Sequence, residues 1–381
     1  MDFKTTNEQD LLANNIIKFA RNELNEGIEQ RDANSEFNRR EWHKCAEIGI
    51  CGLTFPEEYG GGNADLSTTV NCIRALSYGC QDTGLVLALI TQICCGLQLH
   101  LFGKDNQKEK YLPPIISGEK IAAQAISESD AGSDVGSMRT TAIPHPNGYR
   151  LNGTKMYITN GPIADIVLVI AKTGQSQMAF RNLSCFIVTK ETSGFSSETN
   201  LEKMGLRTMQ NSGLIFENCD IPAEQIVGNE GQGMFIFNEM IEWERILMAA
   251  CYLGVMQRIY ETTVNYAKTR NQFGKPIGQF QAVSSKIADM RIKIELGKLI
   301  IDKAAWQKDQ KIRSTVESSI AKVFLSESLK KICADALQIH GAYGYMKEAG
   351  IERDVRNSFA ATISSGASEI QRNIIAKLSN L

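Results

Sequence analysis

The sequence is poor in the residues that mark most metal, disulfide and nucleotide-fold sites. It has four histidines, none at metal-ligand spacing, and His43 beside Cys45 is a weak pair, so no metal site is expected. Ten cysteines occur without one CxxC pair, and Cys94 adjoins Cys95. No disulfide framework is legible, and reduced, mostly core cysteines in a cytoplasmic protein are expected. Charge of neither sign dominates: 41 Lys+Arg stand against 43 Asp+Glu, a net −2, which argues against bulk nucleic-acid binding. A clean membrane-spanning run is also missing. The most apolar stretch, Gly84 to Phe102, carries Gln92, Gln98 and His100 and reads as a buried helix. Met1 to Arg21 is charged and has no signal-peptide core. There is no GxGxxG phosphate fingerprint.

What is present is ample apolar material. Over 381 residues, 43% are hydrophobic and 22% charged, enough for large cores in two or three domains. The texture changes twice. Residues 1–120 are helical in pattern, with Asn7 as a candidate N-cap before Leu11, Leu12, Ile16, Ile17 and Ala20. Residues 121–228 turn to short β-branched runs: Val167-Leu168-Val169-Ile170, Cys185-Phe186-Ile187-Val188 and Leu214-Ile215-Phe216. Such runs predict a small barrel or sandwich. Residues 229–381 return to long helical patterns, Met234–Ala267, Ala282–Gln307, Thr315–Ile339 and Ile363–Leu381, which read as a four-helix bundle. From Ser284 to Lys331 there are 11 basic and 6 acidic residues. Solvated helix faces account for such a stretch, and a docking patch for an acidic partner is the sharper reading.

Two segments carry chemistry. Ala125-Ile126-Ser127-Glu128-Ser129-Asp130-Ala131-Gly132-Ser133-Asp134 is small and hydroxyl-rich, which leaves backbone N–H groups free for a polar ring or phosphate; an ordinary surface loop fits it equally. Leu151 to Gly161 includes Tyr157-Ile158-Thr159, an aromatic ring and a hydroxyl bracketing one apolar residue; a hairpin with a core tyrosine is the plain alternative.

These segments, with Glu57-Glu58-Tyr59-Gly60-Gly61, Lys203-Met204-Gly205-Leu206-Arg207, Gly228-Asn229-Glu230-Gly231-Gln232-Gly233, Thr269 to Ile277, Gln338 to Tyr345 and Glu369-Ile370-Gln371-Arg372, resemble the acyl-CoA dehydrogenase family of flavoproteins, in the family's order and over nearly the whole chain. The resemblance implies a mostly α, α+β fold: an N-terminal helical domain, a middle β-barrel and a C-terminal four-helix bundle. It implies FAD held by Ala125, Ser127, Gly132, Ser133, Tyr157, Ile158 and Thr159, with Ala367 and Glu369. It implies that a neighbouring subunit adds Arg270, Phe273, Gln281, Gln338, Gly341 and Ala342, and hence a homo-oligomer, a tetramer in most of the family. Tyr157, Ala342 and Ala367 depart from the usual Trp or Phe, Gly and Thr.

The larger departure lies at the family's usual base. Ile363-Ser364-Ser365-Gly366-Ala367-Ser368-Glu369 puts Ser365 where most members have Glu. Either the chain is a flavin-binding scaffold without catalysis, or the base is elsewhere. A minority of the family places Glu on a bundle helix just before Arg, and Glu244-Arg245 matches that position. The helix supports it independently, because Met240, Ile241, Leu247 and Met248 flank Glu244 at i±3 and i±4, and an apolar face desolvates a carboxylate. Glu242, flanked by Asn238, Glu239, Arg245 and Ile246, reads as solvated. The resemblance then implies that Glu244 takes the α-proton of an acyl thioester and that the Ser365 backbone N–H serves the oxyanion. Within the family, Glu244 with Ser365 resembles prolyl-carrier-protein oxidases and dehydrogenases of natural-product pathways. That likeness implies an L-prolyl thioester on an acyl or peptidyl carrier protein. The alternative is a short branched-chain, isovaleryl-like dehydrogenase acting on a CoA thioester.

Overall fold

The computed structural model describes residues 5–174 and 179–379. Six helices come first: α1 (Asn7–Glu23), α2 (Ile28–Asn34), α3 (Arg39–Glu47), α4 (Leu66–Gly79), α5 (Thr83–Phe102) and α6 (Asp105–Ile116). Helix α1 starts at a capping box, in which the Thr6 hydroxyl accepts from the Gln9 N–H and the Gln9 side chain accepts from the Thr6 N–H. The cap is thus Thr6, one residue before the expected Asn7. Helix α5 is long and apolar enough to cross a membrane by length and composition, but most of it is buried inside the protein. The glutamine that interrupts it joins two elements. Gln92 donates to the Ile115 and Lys120 carbonyls and accepts from the Ala122 N–H, which fastens α5 to the first strand.

Eight strands follow: β1 (Ala122–Ala125), β2 (Thr141–His145), β3 (Gly148–Thr159), β4 (Ile166–Lys172), β5 (Leu183–Thr189), β6 (Phe195–Ser197), β7 (Asn211–Pro222) and β8 (Ile226–Val227). They do not form the expected barrel. Their order is β6-β7-β3-β2-β4-β5-β8, with β1 added in parallel to β4, so the sheet is mixed and open. The reason lies in the ladders. The end strands β6 and β8 have three and two residues and do not pair with each other, and β2 meets β4 at the single pair Thr141–Lys172. Both halves nevertheless share one apolar layer, in which Leu151, Leu214 and Phe216 meet Val167, Val169, Phe186 and Val188. The alternate residues of β4, Ile166, Leu168 and Ile170, turn to the helical core instead. Burial on both faces explains why this strand is an unbroken apolar run.

The C-terminal part begins with the 37-residue helix α7 (Gly233–Thr269). A two-residue hairpin, β9 (Asn271–Gln272) and β10 (Lys275–Pro276), leads to α8 (Gln281–Asp309), α9 (Thr315–His340), α10 (Ala342–Tyr345), α11 (Ile351–Ser358) and α12 (Ser368–Leu378). Residues 363–367, expected as the start of the last helix, are instead an irregular turn with two successive left-handed residues, Ser365 (φ 51°) and Gly366 (φ 86°). One continuous core joins the N-terminal helices, one sheet face and α7, α8 and α9. All ten cysteines are buried and free.

Candidate active site

Glu244 projects from the middle of α7. Its flanking residues Met240, Ile241, Leu247 and Met248 are all buried, so the apolar face read from sequence is a packed one. The residue as a whole is partly exposed, yet its carboxyl group is desolvated, which raises its pKa above the usual Glu value against the opposing pull of a Ser365 hydrogen bond and the Arg245 charge. Arg245 forms no salt bridge among the described residues, so the partner of Glu244 is the Ser365 hydroxyl, which donates to Glu244 Oε1 and lies 2.9 Å from Met248 Sδ. From α5, the Cys94 and Cys95 thiols feel the Glu244 charge and are pushed well above the ordinary thiol range, chiefly by burial. Glu242 is not simply solvated. It accepts from Lys308 Nζ at 3.2 Å and from the Thr315 hydroxyl.

The turn carrying Ser365 leads straight into α12. Among the described residues nothing accepts from the N–H groups of Ser365, Gly366 or Ala367, and Ala367 gives α12 no side-chain cap. Free amides at a helix start suit an anion or an oxyanion. Glu369 is exposed in the same first turn.

The second group of candidates surrounds β3. The pairing of β3 with β7 slips between Lys155 and Ile158, and Tyr157 sits in that bulge with φ 62° and its ring 67% exposed. A bulge re-aims a side chain out of the alternation. Asn211 Nδ2 donates to the Tyr157 carbonyl at 3.4 Å and to Thr159 Oγ1 at 3.1 Å, which orders both. Ser127 O accepts from Met156 N at 2.8 Å and ties the 125–134 loop to the same bulge, while Gly132 and Ser133 are exposed at its tip. Two of the candidates point elsewhere: the side chains of Ala125 and Ile158 lie in the apolar layer of the sheet, so only their backbone can face a ligand. This group and Glu244 both flank α5. Asn160 Nδ2 donates to the Ala88 carbonyl, about two turns before Cys94.

Sequence reasoning missed what frames the loop. Glu128 is buried and accepts from Lys155 Nζ (2.8 Å), Arg139 N (2.6 Å) and Thr140 N (3.0 Å). Burial alone would raise this carboxyl; those donors overturn it and hold it at about 2. The signal is present as an acid in one motif and a base in the other, but no pattern pairs residues 27 positions apart.

A third group gathers far away. Tyr266 stacks on His340 with centroids 4.2 Å apart, fastening the end of α7 to the end of α9, and Phe273 packs edge-on against Phe280 just before Gln281. Arg270, Phe273, Gln281, Gln338, Gly341 and Ala342 are exposed at this end, Phe273 to 92% on the β9–β10 turn. At about 1.5 Å per residue, Arg270 is roughly 39 Å along α7 from Glu244. One chain therefore does not bring this group to its own Glu244. Five of the eleven basic residues of the Ser284–Lys331 stretch are paired within the chain: Lys286 with Asp335, Arg291 with Glu295, Lys303 with Glu317, Lys308 with Glu239 and Lys331 with Asp335. An open groove of about 1190 Å³ lies elsewhere, between α1, the turn at 59–64 and Pro113–Pro114, and none of the candidate residues lines it.

Residues 6–119, 123–219 and 231–379 match the N-terminal, middle and C-terminal domains of acyl-CoA dehydrogenases. The chain is 36% identical to the "Probable acyl-CoA dehydrogenase YngJ" of Bacillus subtilis (strain 168), over 99% of each chain. Among solved structures, it is similar to the prolyl acyl carrier protein oxidase AnaB (TM-score 0.97, 39% identity, covering 99% of this chain and 100% of that one). It is equally similar in fold to PigA with FAD and proline (TM-score 0.97, 35% identity, covering 100% of both). With three domain matches in register and full-length likeness to these proteins, the chain belongs to the acyl-CoA dehydrogenase family.

Proposed function

We propose that this protein is an FAD-dependent dehydrogenase that desaturates an acyl thioester carried by a carrier protein, with L-prolyl as the acyl group and Glu244 as the base. The observation that carries the reading is the desolvated Glu244, bonded by Ser365 and not by an arginine, in a chain that shares its fold from end to end with AnaB and PigA. The residues fit a flavin: an exposed ring at Tyr157, an ordered hydroxyl at Thr159, an open loop at Gly132 and Ser133, and unpaired amides at 365–367 before α12.

FAD, when bound, supplies an acceptor for the hydride that leaves the carbon next to the α-carbon. Glu244 removes the α-proton, for which a raised pKa makes it a stronger base. Of the amides of the 365–367 turn, that of Ser365 offers a donor to the thioester oxygen as negative charge builds there, a contact worth more in a water-poor site. On the α5 side, the buried Cys94 and Cys95 border Glu244 and add to its desolvation. The distant group at Arg270 and Phe273 serves the site of a second copy, in a homo-oligomer.

The test is anaerobic flavin bleaching by prolyl-carrier protein, isovaleryl-CoA and butyryl-CoA. Fastest bleaching by prolyl-carrier protein is expected. Faster bleaching by isovaleryl-CoA would move the reading to a CoA thioester.

A further inference from the structure

Gln371 lies on α12, fully buried, six residues after Ser365. Its Nε2 donates to two consecutive carbonyls, Ser365 O at 3.2 Å and Gly366 O at 3.1 Å. Facing two acceptors, only the amide nitrogen fits there, so the orientation of this side chain follows from its neighbours. The contact is close: a Cβ added to Gly366 would stand 2.4 Å from Nε2, and the left-handed φ of 86° there favours glycine in any case. Ser365 meanwhile holds φ 51°, a left-handed conformation uncommon for a residue with a side chain, and Gln371 bonds the carbonyl on its C-terminal side. From that conformation its hydroxyl reaches Glu244.

We propose that Gln371 is a positioning residue for the base: it fixes the Ser365–Gly366 turn so that the Ser365 hydroxyl holds Glu244 in one orientation. The inference rests on Glu244 being the base. A serine has one hydrogen to donate, and a carboxylate is a better acceptor than the Met248 sulfur, so Oε1 is occupied and Oε2 is left for the α-proton. The groups facing Glu244 are the Cys94 and Cys95 thiols from α5, Arg245 and Tyr252 from its own helix, and Lys322 of α9 beyond Arg245. Burial keeps the thiols and the phenol neutral near pH 7, so Arg245 is the charge beside it and Ser365 the neutral donor. The hydrogen bond lowers the Glu244 pKa, so its loss raises that pKa further, and a base that works deprotonated then fails at a higher pH.

The experiment is the pH profile of anaerobic flavin reduction, with whichever thioester of the panel bleaches the flavin fastest, for the native holoenzyme, Ser365→Ala, Gln371→Met and the double variant. Both single variants should move the acid limb upward by about one pH unit, with FAD content unchanged. The double variant should move it no further than Ser365→Ala does. An unmoved limb in Gln371→Met, or a shift that adds in full to that of Ser365→Ala, overturns the inference. If Gln371→Met does not fold, Gln371→Asn, too short to reach both carbonyls, is read the same way. Glu244→Gln separates the two readings: normal activity there removes the base itself, whereas a dead Glu244→Gln with an unmoved Gln371→Met limb overturns this inference alone.

Discussion

Lys155 Nζ stands 2.8 Å from Glu128 Oε1 with the lysine fully buried and the glutamate nearly so, directly behind the loop proposed to face the flavin. The same ammonium donates to the Ile126 carbonyl at 2.9 Å, and the carboxylate takes the Arg139 and Thr140 amides. The backbone at Ile126 and at Arg139–Thr140 is therefore held at one ion pair, made by Glu128 of the loop and Lys155 of β3.

Breaking that pair from one side leaves a buried carboxylate with two amide donors. Lys155→Met should cost about 3–5 kcal/mol and lower the melting temperature. The pH sign follows from the depressed Glu128 pKa. Its stabilisation is present above the ordinary value of 4.5 and is lost as pH falls toward about 2. Thermal melts between those limits should show a shallower acid loss in Lys155→Met than in the native chain.

Glu244→Gln keeps the size of the side chain and removes its basic oxygen. Flavin reduction should slow by about 10²–10⁴-fold or more while FAD stays bound. In the native enzyme the rate should fall as pH drops through a pKa above the ordinary Glu value of 4.5, because only the carboxylate accepts the proton. Near-native stopped-flow bleaching by the variant would place the base elsewhere.

Tyr157 separates a packing role from a cofactor role. Its ring is exposed and its backbone is left-handed, so Tyr157→Gly relieves strain while removing little core contact. Stability should change by less than about 1 kcal/mol, since the relief offsets glycine's extra unfolded freedom. The visible absorption of bound FAD should shift. An unchanged spectrum would show that the ring does not cover the flavin.

Arg270→Ala and Phe273→Ser alter groups exposed on a surface turn. The melting temperature of the flavin-free chain should hold, and the FAD-to-protein ratio after gel filtration should fall. A ratio that stays at its native value would remove the second copy from the nucleotide site.

How much of the fold and the site is legible in the sequence depends on how local the cause is. Strand β4 announces itself because both its faces are buried, and Glu244 because its four helical neighbours are apolar. Sheet closure is not legible, since it depends on whether β6 and β8 meet, and neither run of two or three residues encodes its partner. Their motifs suggest Ala125 and Ile158 as ligand contacts, yet strand geometry sends both side chains into the sheet's apolar layer. Residues 363–367 look helical in pattern, but Ser365 takes a left-handed turn, and its carbonyl is bonded by Gln371 from six positions away. The role of the Ser365 hydroxyl toward Glu244, across 121 positions, is invisible for the same reason.

The burial of all ten cysteines gives the protein a built-in record of its own opening. Six thiols (Cys45, Cys51, Cys72, Cys80, Cys94 and Cys95) lie among the N-terminal helices or the turns that join them, two (Cys185 and Cys219) on strands, and two (Cys251 and Cys333) on α7 and α9. A pulse of thiol reagent at neutral pH labels only molecules in which the surrounding segment has come apart. The order in which the ten sites take up label on warming would therefore chart which part of the molecule loosens first, without a single introduced probe.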